Sequence, residues 1–316
     1  MPESVIKKRK YQAMDLFAAG LVGLAMALFR VLPPGSYVAM AKVLGKGVPF
    51  LPGYRKRAIG NLSIAFGKEK SQEEIRALAK EVFYHLALTG LETLYAIANP
   101  VAYLANIQVE GKEFLDSALA QGKGVVAVGA HLGPFTALGS KLGSQGFKVN
   151  VIINMKNLPK FWGKINDVQR RFGERAFPSK PRSLSVRTGL DCLRRNEILY
   201  IISDQQQRRG GVAVPFFGRM AFSPPGAAIF SIKAGAPVLP MFVLREGALD
   251  RKVIIGKPIL TEKTLDQKKD IAALTEKITN VIEETVRQHP GQWAWINHRW
   301  KQPHRAQPLD MRNKPV

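Results

Sequence analysis

The sequence predicts an α/β fold with a mostly parallel sheet flanked by helices, together with an N-terminal helical segment that associates with a membrane. From residue 125 onward, short apolar runs rich in β-branched residues alternate with stretches of helical periodicity, which is the pattern of β-α-β units. These runs are continuous rather than alternating, as expected for strands buried on both faces. Near the N-terminus, the apolar run 16–29 follows a cluster of basic residues.

Length and composition allow one large core and point to an anionic partner. The chain has 316 residues, 46% of them hydrophobic. Its 47 Lys and Arg outnumber 24 Asp and Glu, which gives a formal net charge of +23. Such an excess indicates nucleic acid, an anionic membrane surface, or an acidic protein or phosphate-bearing substrate as partner. The single cysteine, Cys192, excludes an internal disulfide, and its helical context favours a buried thiol.

The N-terminal region favours the membrane among these partners. The basic run 7–10 precedes the apolar run 16–29, which is shorter than the roughly 20 residues that span a bilayer comfortably. A second apolar patch over 37–51 carries two lysines. We predict that residues 1–52 are a basic, apolar membrane-associating segment, either a marginal span or a helix that lies in the interface.

The remainder divides into one folded domain, 53–301, and a basic tail, 302–316, that is expected to be mobile. Ser71 and Glu74 form the pattern of a capping box, and the helical spacing behind them predicts a long amphipathic helix over 72–98. We therefore expect this helix to bury its apolar stripe in the core.

After this helix the sequence alternates between strands and helices. Ser223 and Pro224 have the residue types of a helix N-cap and first helical position. Strands are predicted at 125–128, 149–153, 198–202, 238–243 and 253–255, and helices at 136–145, 160–172, 184–195, 227–234 and 270–288.

The stretch 124–135 ends a predicted buried strand in a histidine, His131, which is followed by Gly133 and Pro134. Ligands of open α/β sheets bind beyond the carboxyl ends of the strands, where His131 would lie. Since histidine takes up a proton near neutral pH, His131 is a candidate general base. The alternative is a strand-end histidine whose ring is satisfied by the backbone.

Two further stretches combine polar and aromatic residues. Asp204 directly follows the strand at 198–202, so in a parallel sheet we expect it within about 10 Å of His131. The loop from 203 to 218 is rich in Gln, Arg and Gly, which suits phosphates or sugar hydroxyls, or else a solvated turn before a hairpin. The stretch 293–301 interleaves tryptophans with cations, a pattern typical of base stacking or of an aromatic belt at a membrane.

In their joint order these blocks resemble the bacterial lipid A biosynthesis late acyltransferases of the lauroyl and myristoyl transferase type, within the lysophospholipid acyltransferase superfamily. The resemblance extends over nearly the whole chain. Its blocks are the apolar basic N-terminus and the stretches 54–62, 129–133, 203–218, 235–240 and 289–301.

The resemblance implies an O-acyltransferase at the cytoplasmic face of the inner membrane, with residues 53–301 as the acyltransferase domain. It would move a fatty acyl chain from an acyl carrier protein or coenzyme A thioester to a hydroxyl of a lipid A precursor or of a related glycolipid or lysophospholipid. Its partners would be this acyl donor, an anionic membrane lipid acceptor and the membrane surface, without nucleic acid. No metal and no cofactor other than the co-substrate is implied.

The resemblance also implies roles for particular residues. His131 would deprotonate the acceptor hydroxyl, which attacks the thioester without a covalent enzyme intermediate. Asp204 would orient catalytic groups or hold an acceptor sugar, and backbone N–H groups near Gly133, or Arg209, would stabilise the oxyanion. The other predicted substrate contacts are Thr136, Gln205, Gly211 and Phe217, with Phe216 and Phe222 joining Phe217 along the acyl chain.

One position departs from the family pattern. The family has Asp or Glu five positions after the histidine, where this chain has Thr136. That carboxylate orients the imidazole, which an uncharged threonine cannot do in the same way. Another carboxylate or a carbonyl could orient His131, or the chain could be an engineered loss-of-function form or a silent lipid-binding member. We favour the first explanation, and we expect the side chain at 136 near the ring, so that Thr136→Glu raises activity.

Overall fold

The structure is a computed structural model that describes residues 3–47, 52–153, 159–207, 209–260 and 264–300. The helices are α1 Glu3–Val31, α2 Ser36–Gly47, α3 Pro52–Phe66, α4 Gln72–Ala98, α5 Pro100–Ala105, α6 Lys112–Leu119, α7 Leu138–Ser144, α8 Pro159–Arg171, α9 Arg182–Arg194, α10 Gly226–Ala234 and α11 Gln267–Gln288. The strands are β1 Ile107–Glu110, β2 Val125–Gly129, β3 Val149–Ile153, β4 Glu174–Pro178, β5 Ile198–Ile202, β6 Val212–Phe216, β7 Arg219–Ser223, β8 Val238–Arg245 and β9 Arg251–Ile255.

Seven strands form one sheet in the order β1-β9-β8-β2-β5-β3-β4. Within it β8 and β9 pair antiparallel, and the other neighbours pair parallel. The predicted mostly parallel sheet flanked by helices is therefore confirmed. Strands β2 and β5 are parallel neighbours with Gly129 opposite Ile202. The loops that follow these two strands consequently begin side by side at one edge of the sheet.

The core lies on both faces of this sheet. On β2, Val126 and Val128 point into one apolar cluster, and Val125 and Ala127 point into the other. Successive side chains of a strand alternate between faces, so a strand that is covered on both faces needs an apolar residue at every position. This explains the continuous apolar run in the sequence.

Most predicted elements match, and the elements that were not predicted include the 15-residue helix α3 and the strands β1 and β4 at the two edges of the sheet. Helix α4 spans 72–98 as predicted, with both hydrogen bonds of the capping box present. Strands β1 and β4 were not predicted, because they lie at the edges of the sheet and contain charged residues that interrupt the apolar pattern. The N-cap prediction was wrong, since Ser223 ends β7 and its buried hydroxyl accepts a hydrogen bond from the Arg299 guanidinium at 2.7 Å.

The N-terminal segment forms α1 and α2, both of which contact α4. One stretch of α1, Met14–Val31, is long and apolar enough to cross a membrane, and 22% of it is buried. Phe17 and Leu24 of this stretch are exposed, whereas Phe29 is buried against the domain. The α1 helix thus presents an apolar outer surface. The domain boundary at residue 52 stays a prediction, and the tail 302–316 lies outside the described residues.

Candidate active site

His131 lies in a loop that is held from both sides. The loop leaves β2 at Gly129, and the C-terminal segment after α11 runs beside it. Ala294 donates its backbone N–H to the His131 carbonyl at 3.0 Å, and Gly133 donates its own to the Gln292 carbonyl at 3.0 Å. These two bonds, one on each side of Leu132, fix the backbone from which the imidazole projects.

Asp204 meets this loop from β5 with a carboxylate that accepts three hydrogen bonds. Its Oδ1 lies 2.8 Å from His131 Nδ1. Its Oδ2 accepts the His131 backbone N–H at 2.9 Å and the Trp293 indole N–H at 2.7 Å. The prediction that Asp204 lies close to His131 is confirmed. Because a carboxylate accepts from Nδ1–H, the basic nitrogen of the neutral ring is Nε2.

The electrostatics of the pair keep a carboxylate next to a basic ring. Burial lowers the pKa of His131, but the charge of Asp204 and its hydrogen bond outweigh burial, so this pKa lies above its usual value. Burial raises the pKa of Asp204. The charge of His131 and the hydrogen bonds from His131 and from the Trp293 indole lower it by more, so this pKa lies below its usual value. Asp204 is therefore ionised at neutral pH.

The two members of the pair differ in accessibility. The Asp204 side chain is 0% exposed, whereas the His131 ring is 26% exposed. The ring packs edge-to-face on Phe135 with 4.9 Å between the ring centroids. The side-chain amide nitrogen of the exposed Gln205 lies 3.3 Å from His131 Nε2. The face of the imidazole that carries the basic nitrogen therefore meets Gln205 and solvent, where a substrate hydroxyl can approach.

A network of buried charged residues contacts the loop that carries His131. The Arg245 guanidinium pairs with Glu92, and both side chains are at most 2% exposed. Arg245 also donates to the Thr89 hydroxyl at 2.8 Å, and this hydroxyl lies 3.3 Å from the Gly133 carbonyl. The Gln292 amide exchanges two hydrogen bonds with the Arg245 backbone. Because charges this deep are stable only when paired, the network ties α4, β8 and the His131 loop into one unit.

Gly133 is needed for packing and does not offer its N–H to a substrate. Its N–H is hydrogen-bonded to the Gln292 carbonyl, so the prediction that this N–H contributes to an oxyanion hole is wrong. The residue has a φ of +57°, and a Cβ there would collide with the Val243 carbonyl. Both facts demand glycine at this position. Gly211 is likewise close-packed, since a Cβ would lie 2.5 Å from the Gln207 carbonyl.

Phe217 and its neighbours belong to the core and not to an acyl slot. The Phe217 ring packs on Phe66 and Trp295 with centroids 5.3 and 5.7 Å away, and the Arg287 guanidinium lies 4.5 Å from its centroid. Phe216 is fully buried against Trp293. The prediction that the Phe216 and Phe217 rings contact an acyl chain is therefore wrong, because other side chains already cover both rings.

Within the part of the chain that the structure describes, the hydrogen bonds of Thr136 and Arg209 are with residues other than His131. The Thr136 hydroxyl lies 3.1 Å from the Thr93 hydroxyl on α4. The expectation that residue 136 meets the ring N–H is wrong, because Asp204 occupies that nitrogen. Arg209 is exposed, and its carbonyl accepts a hydrogen bond from the Gln207 side chain at 3.0 Å. Its predicted role in oxyanion binding stays a prediction.

The aromatic stretch near the C-terminus has neither of the roles considered from sequence. Trp293, Trp295 and Trp300 are 1%, 0% and 7% exposed, so they are core residues and neither a base-stacking surface nor a membrane belt. Trp293 is a site residue that sequence reasoning missed. Its one polar group is an N–H donor, which a buried carboxylate can use.

A model of the family described as bacterial lipid A biosynthesis acyltransferase matches residues 5–302. The chain belongs to this family. The palmitoleoyltransferase and the lauroyltransferase of lipid A biosynthesis from Escherichia coli are both 24% identical to it, over 80% and 82% of the chain and 80% and 83% of their own lengths. A phosphatidylinositol mannoside acyltransferase of Mycobacterium tuberculosis is 25% identical over 61% of the chain, which matches 59% of the mycobacterial protein. Membership confirms the resemblance seen in the sequence.

Proposed function

We propose that this family member is an O-acyltransferase in which His131 is the general base and Asp204 is the partner that orients it. The observation that carries the proposal is the 2.8 Å contact between Asp204 and Nδ1, combined with an accessible Nε2. A carboxylate behind one ring nitrogen and a free path to the other is the arrangement by which a histidine accepts a proton from a hydroxyl. The pair supports the first explanation for Thr136, that another carboxylate orients the ring.

The reaction follows from this geometry. The acceptor hydroxyl donates its proton to His131 Nε2 while its oxygen attacks the thioester carbonyl. The tetrahedral intermediate then expels the thiolate, which takes the proton from Nε2, so an ester and a thiol are formed and the ring is regenerated. Asp204 holds Nδ1–H throughout and stabilises the imidazolium that exists between the two steps.

Gln205 is our candidate for the donor that stabilises the oxyanion. Its side-chain amide nitrogen lies 3.3 Å from His131 Nε2, so it borders the position where the attacked carbonyl must lie. A preorganised N–H there is worth most in the transition state, when the carbonyl oxygen becomes charged. Gln205 replaces Gly133 in this role, because the Gly133 N–H is already bonded.

The donor is proposed to be an acyl carrier protein or coenzyme A thioester, and the acceptor a lipid A precursor or a related glycolipid or lysophospholipid. The acceptor class is supported by the names of the relatives in both bacteria. The net charge of +23 suits an acidic carrier protein and anionic lipid phosphates. The exposed apolar surface of α1 supports attachment to a membrane, which we propose to be the cytoplasmic face of the inner membrane.

An apolar cavity beside Thr136 is proposed to receive the terminal carbons of the acyl chain. It has a volume of about 40 Å³ and is bordered by α4, α5, α7 and α8. Its walls are mainly apolar, including Ala96, Ile97, Ile165 and Val168. Each buried methylene of a chain there contributes about 0.8 kcal/mol.

We expect Ala96→Leu to shift the enzyme toward shorter acyl chains, because the added side chain fills part of this cavity. The rate with the longest accepted chain should fall about tenfold more than the rate with a chain four carbons shorter. The measurement is kcat/KM over a series of acyl thioesters. Equal losses for all chain lengths would mean that the chain lies elsewhere.

We expect Thr136→Glu not to raise activity, in contrast to the expectation from sequence. The ring N–H of His131 is bonded to Asp204, and a carboxylate at 136 would replace the contact between the hydroxyls of Thr136 and Thr93 beside an apolar cavity. Thr136→Ser keeps the hydroxyl and is the matched control. A gain in kcat for the glutamate variant would show that Asp204 does not fully orient the ring.

The proposed function is tested by incubating the purified chain with lauroyl acyl carrier protein or lauroyl coenzyme A and a lipid A precursor. Mass spectrometry should detect a lipid product heavier by one acyl group, and none with the His131→Ala variant. Unchanged lipid with both donors would contradict the proposal. Lipid binding without any release of the thiol would instead support the silent lipid-binding alternative, which Thr136 alone favours.

A further inference from the structure

A second, larger cavity lies between α2, α3 and the first half of α4. Its volume is about 1120 Å³. Its lining residues all lie between 42 and 84, so His131, Asp204 and Gln205 take no part in it. Tyr84, the last lining residue along α4, lies five residues before Thr89, whose hydroxyl is 3.3 Å from the Gly133 carbonyl. The cavity therefore shares no lining residue with the candidate active site, and α4 connects the two.

The rim of this cavity is strongly basic. Five cations face one anion, which leaves an excess of four positive charges: Lys42, Lys46, Arg55, Arg76 and Lys80 against Glu73. Among the residues that the structure describes, none of these six forms an ion pair. Like charges that converge without partners repel one another, and a bound anion removes this cost. The rim therefore has the charge of an anion site.

The floor of the cavity is apolar. It is formed by Ile59, Ala79, Phe83 and Tyr84, and Phe83 is 1% exposed because the floor is continuous with the domain core. A cavity with a cationic rim and an apolar floor is complementary to a molecule with an anionic head and a hydrocarbon tail. A soluble anion would leave the floor uncovered.

The surroundings of the cavity indicate where such a molecule comes from. Val43 and Leu44, which lie between rim residues on α2, are 70% and 50% exposed, and Tyr54 beside Arg55 is 45% exposed. On α1, Phe17 and Leu24 are 69% and 68% exposed. Large apolar side chains exposed together with basic residues are typical of a surface that enters the membrane interface. An acidic protein would meet charged residues here but would also have to cover this apolar surface.

We propose that this cavity is a second lipid site, which binds an anionic phospholipid of the membrane. The phosphate lies among the cations of the rim, and the first carbons of the acyl chains lie on Ile59 and Tyr84, which are partly exposed. A lipid bound here attaches the α2–α4 face to the bilayer. The site does not depend on acyl transfer, because no catalytic group contributes to it.

The test is native mass spectrometry of the full chain in detergent, titrated with phosphatidylglycerol or with zwitterionic phosphatidylcholine. The variant Arg55→Gln/Arg76→Gln/Lys80→Gln should retain phosphatidylglycerol about tenfold more weakly than the unaltered chain, with phosphatidylcholine unaffected. The matched control Arg182→Gln/Arg187→Gln/Lys233→Gln removes three exposed cations from α9 and α10. It should stay within about twofold of the unaltered chain.

The variant Ala77→Trp distinguishes binding inside the cavity from general electrostatic attraction to the protein surface. Ala77 is exposed and lines the cavity, so the indole fills space without removing charge, and retention should again fall about tenfold. Thermal unfolding of each variant checks that it is folded. The His131→Ala chain should keep full retention, which makes the outcome independent of the proposed catalysis.

Three results would overturn the proposal. One is an equal loss of phosphatidylglycerol in the rim variant and its matched control, which would indicate non-specific attraction. Another is unchanged retention by Ala77→Trp. The third is a rim variant that keeps phosphatidylglycerol but loses affinity for acyl carrier protein, which would assign the surface to the protein donor.

Discussion

His131→Ala is expected to lower the rate of acyl transfer by about two to four orders of magnitude, because it removes the basic nitrogen that accepts the acceptor proton. The ring is partly exposed, and Asp204 keeps two donors, the backbone N–H of residue 131 and the Trp293 indole. The melting temperature should therefore fall only slightly. The measurement is kcat with a saturating acyl thioester and lipid acceptor.

A second substitution separates lost chemistry from lost structure. His131→Gln offers an amide N–H to Asp204 but has no basic nitrogen, so it should be as inactive as alanine while melting closer to the unaltered chain. Activity above about a tenth of the original in either variant would mean that His131 is a structural histidine at the end of a strand and not the general base. Unfolding of both variants would have the same consequence.

The pH profile of the unaltered chain follows from the same pair. Protonation of Nε2 removes the base, so kcat/KM should fall as the pH decreases through the pKa of His131. Asp204 holds this pKa above its usual value of 6.5, and the midpoint of the fall should therefore lie above 6.5. A midpoint below 6.5 would mean that burial, and not the carboxylate, dominates the environment of the ring.

The sequence predicted the juxtaposition of His131 and Asp204 because each residue follows a buried strand of a parallel sheet. Two buried runs that end in polar residues, once placed in a parallel sheet, bring their following loops to one edge. The argument needs only that each residue follows a buried strand, so it holds although the two positions are 73 apart in the chain. The structure adds that β2 and β5 are neighbouring strands, which brings the two loops into contact.

The contact of Trp293 with Asp204 could not be predicted in the same way. It joins residues 89 positions apart through a segment outside the sheet. Aromatics interleaved with cations look alike whether they face nucleic acid, lipid or a core. Here Arg299 is 1% exposed and its guanidinium lies 4.4 Å from the Phe216 ring centroid, so even the cation is part of the packing. The role of these aromatic residues depends on how they pack in three dimensions, which the pattern of residues in the sequence does not reveal.

Gly133 and Thr136 show the limit of transferring roles by position. A glycine after a catalytic histidine suits both an oxyanion donor and a tight turn, and the direction of its N–H toward Gln292 decides for the turn. A family pattern fixes a position in the chain, whereas the partner of an imidazole is fixed in space. Asp204 contacts His131 Nδ1, the contact that the family pattern assigns to position 136.

Asp204→Asn is expected to lower kcat by about 10³ to 10⁴-fold, although the substitution preserves the shape of the side chain. The position of Oδ2 accepts two N–H groups, from the His131 backbone and from the Trp293 indole. An amide nitrogen cannot face two donors, so the asparagine must turn its carbonyl oxygen toward them and its NH₂ toward His131. The ring then accepts at Nδ1 and carries its proton on Nε2, which is the tautomer that cannot act as base.

The predicted tautomer gives this variant a spectroscopic signature that a merely structural role would not produce. Nitrogen NMR of the imidazole should show the proton on Nδ1 in the unaltered chain and on Nε2 in Asp204→Asn. The pKa of His131 should also fall, since the negative charge that raises it is gone. In Asp204→Asn/Trp293→Phe one donor at Oδ2 is removed, so the amide is less strictly oriented and part of the activity should return. An asparagine variant that keeps more than about a tenth of the original kcat, with the proton still on Nδ1, would remove Asp204 from the mechanism.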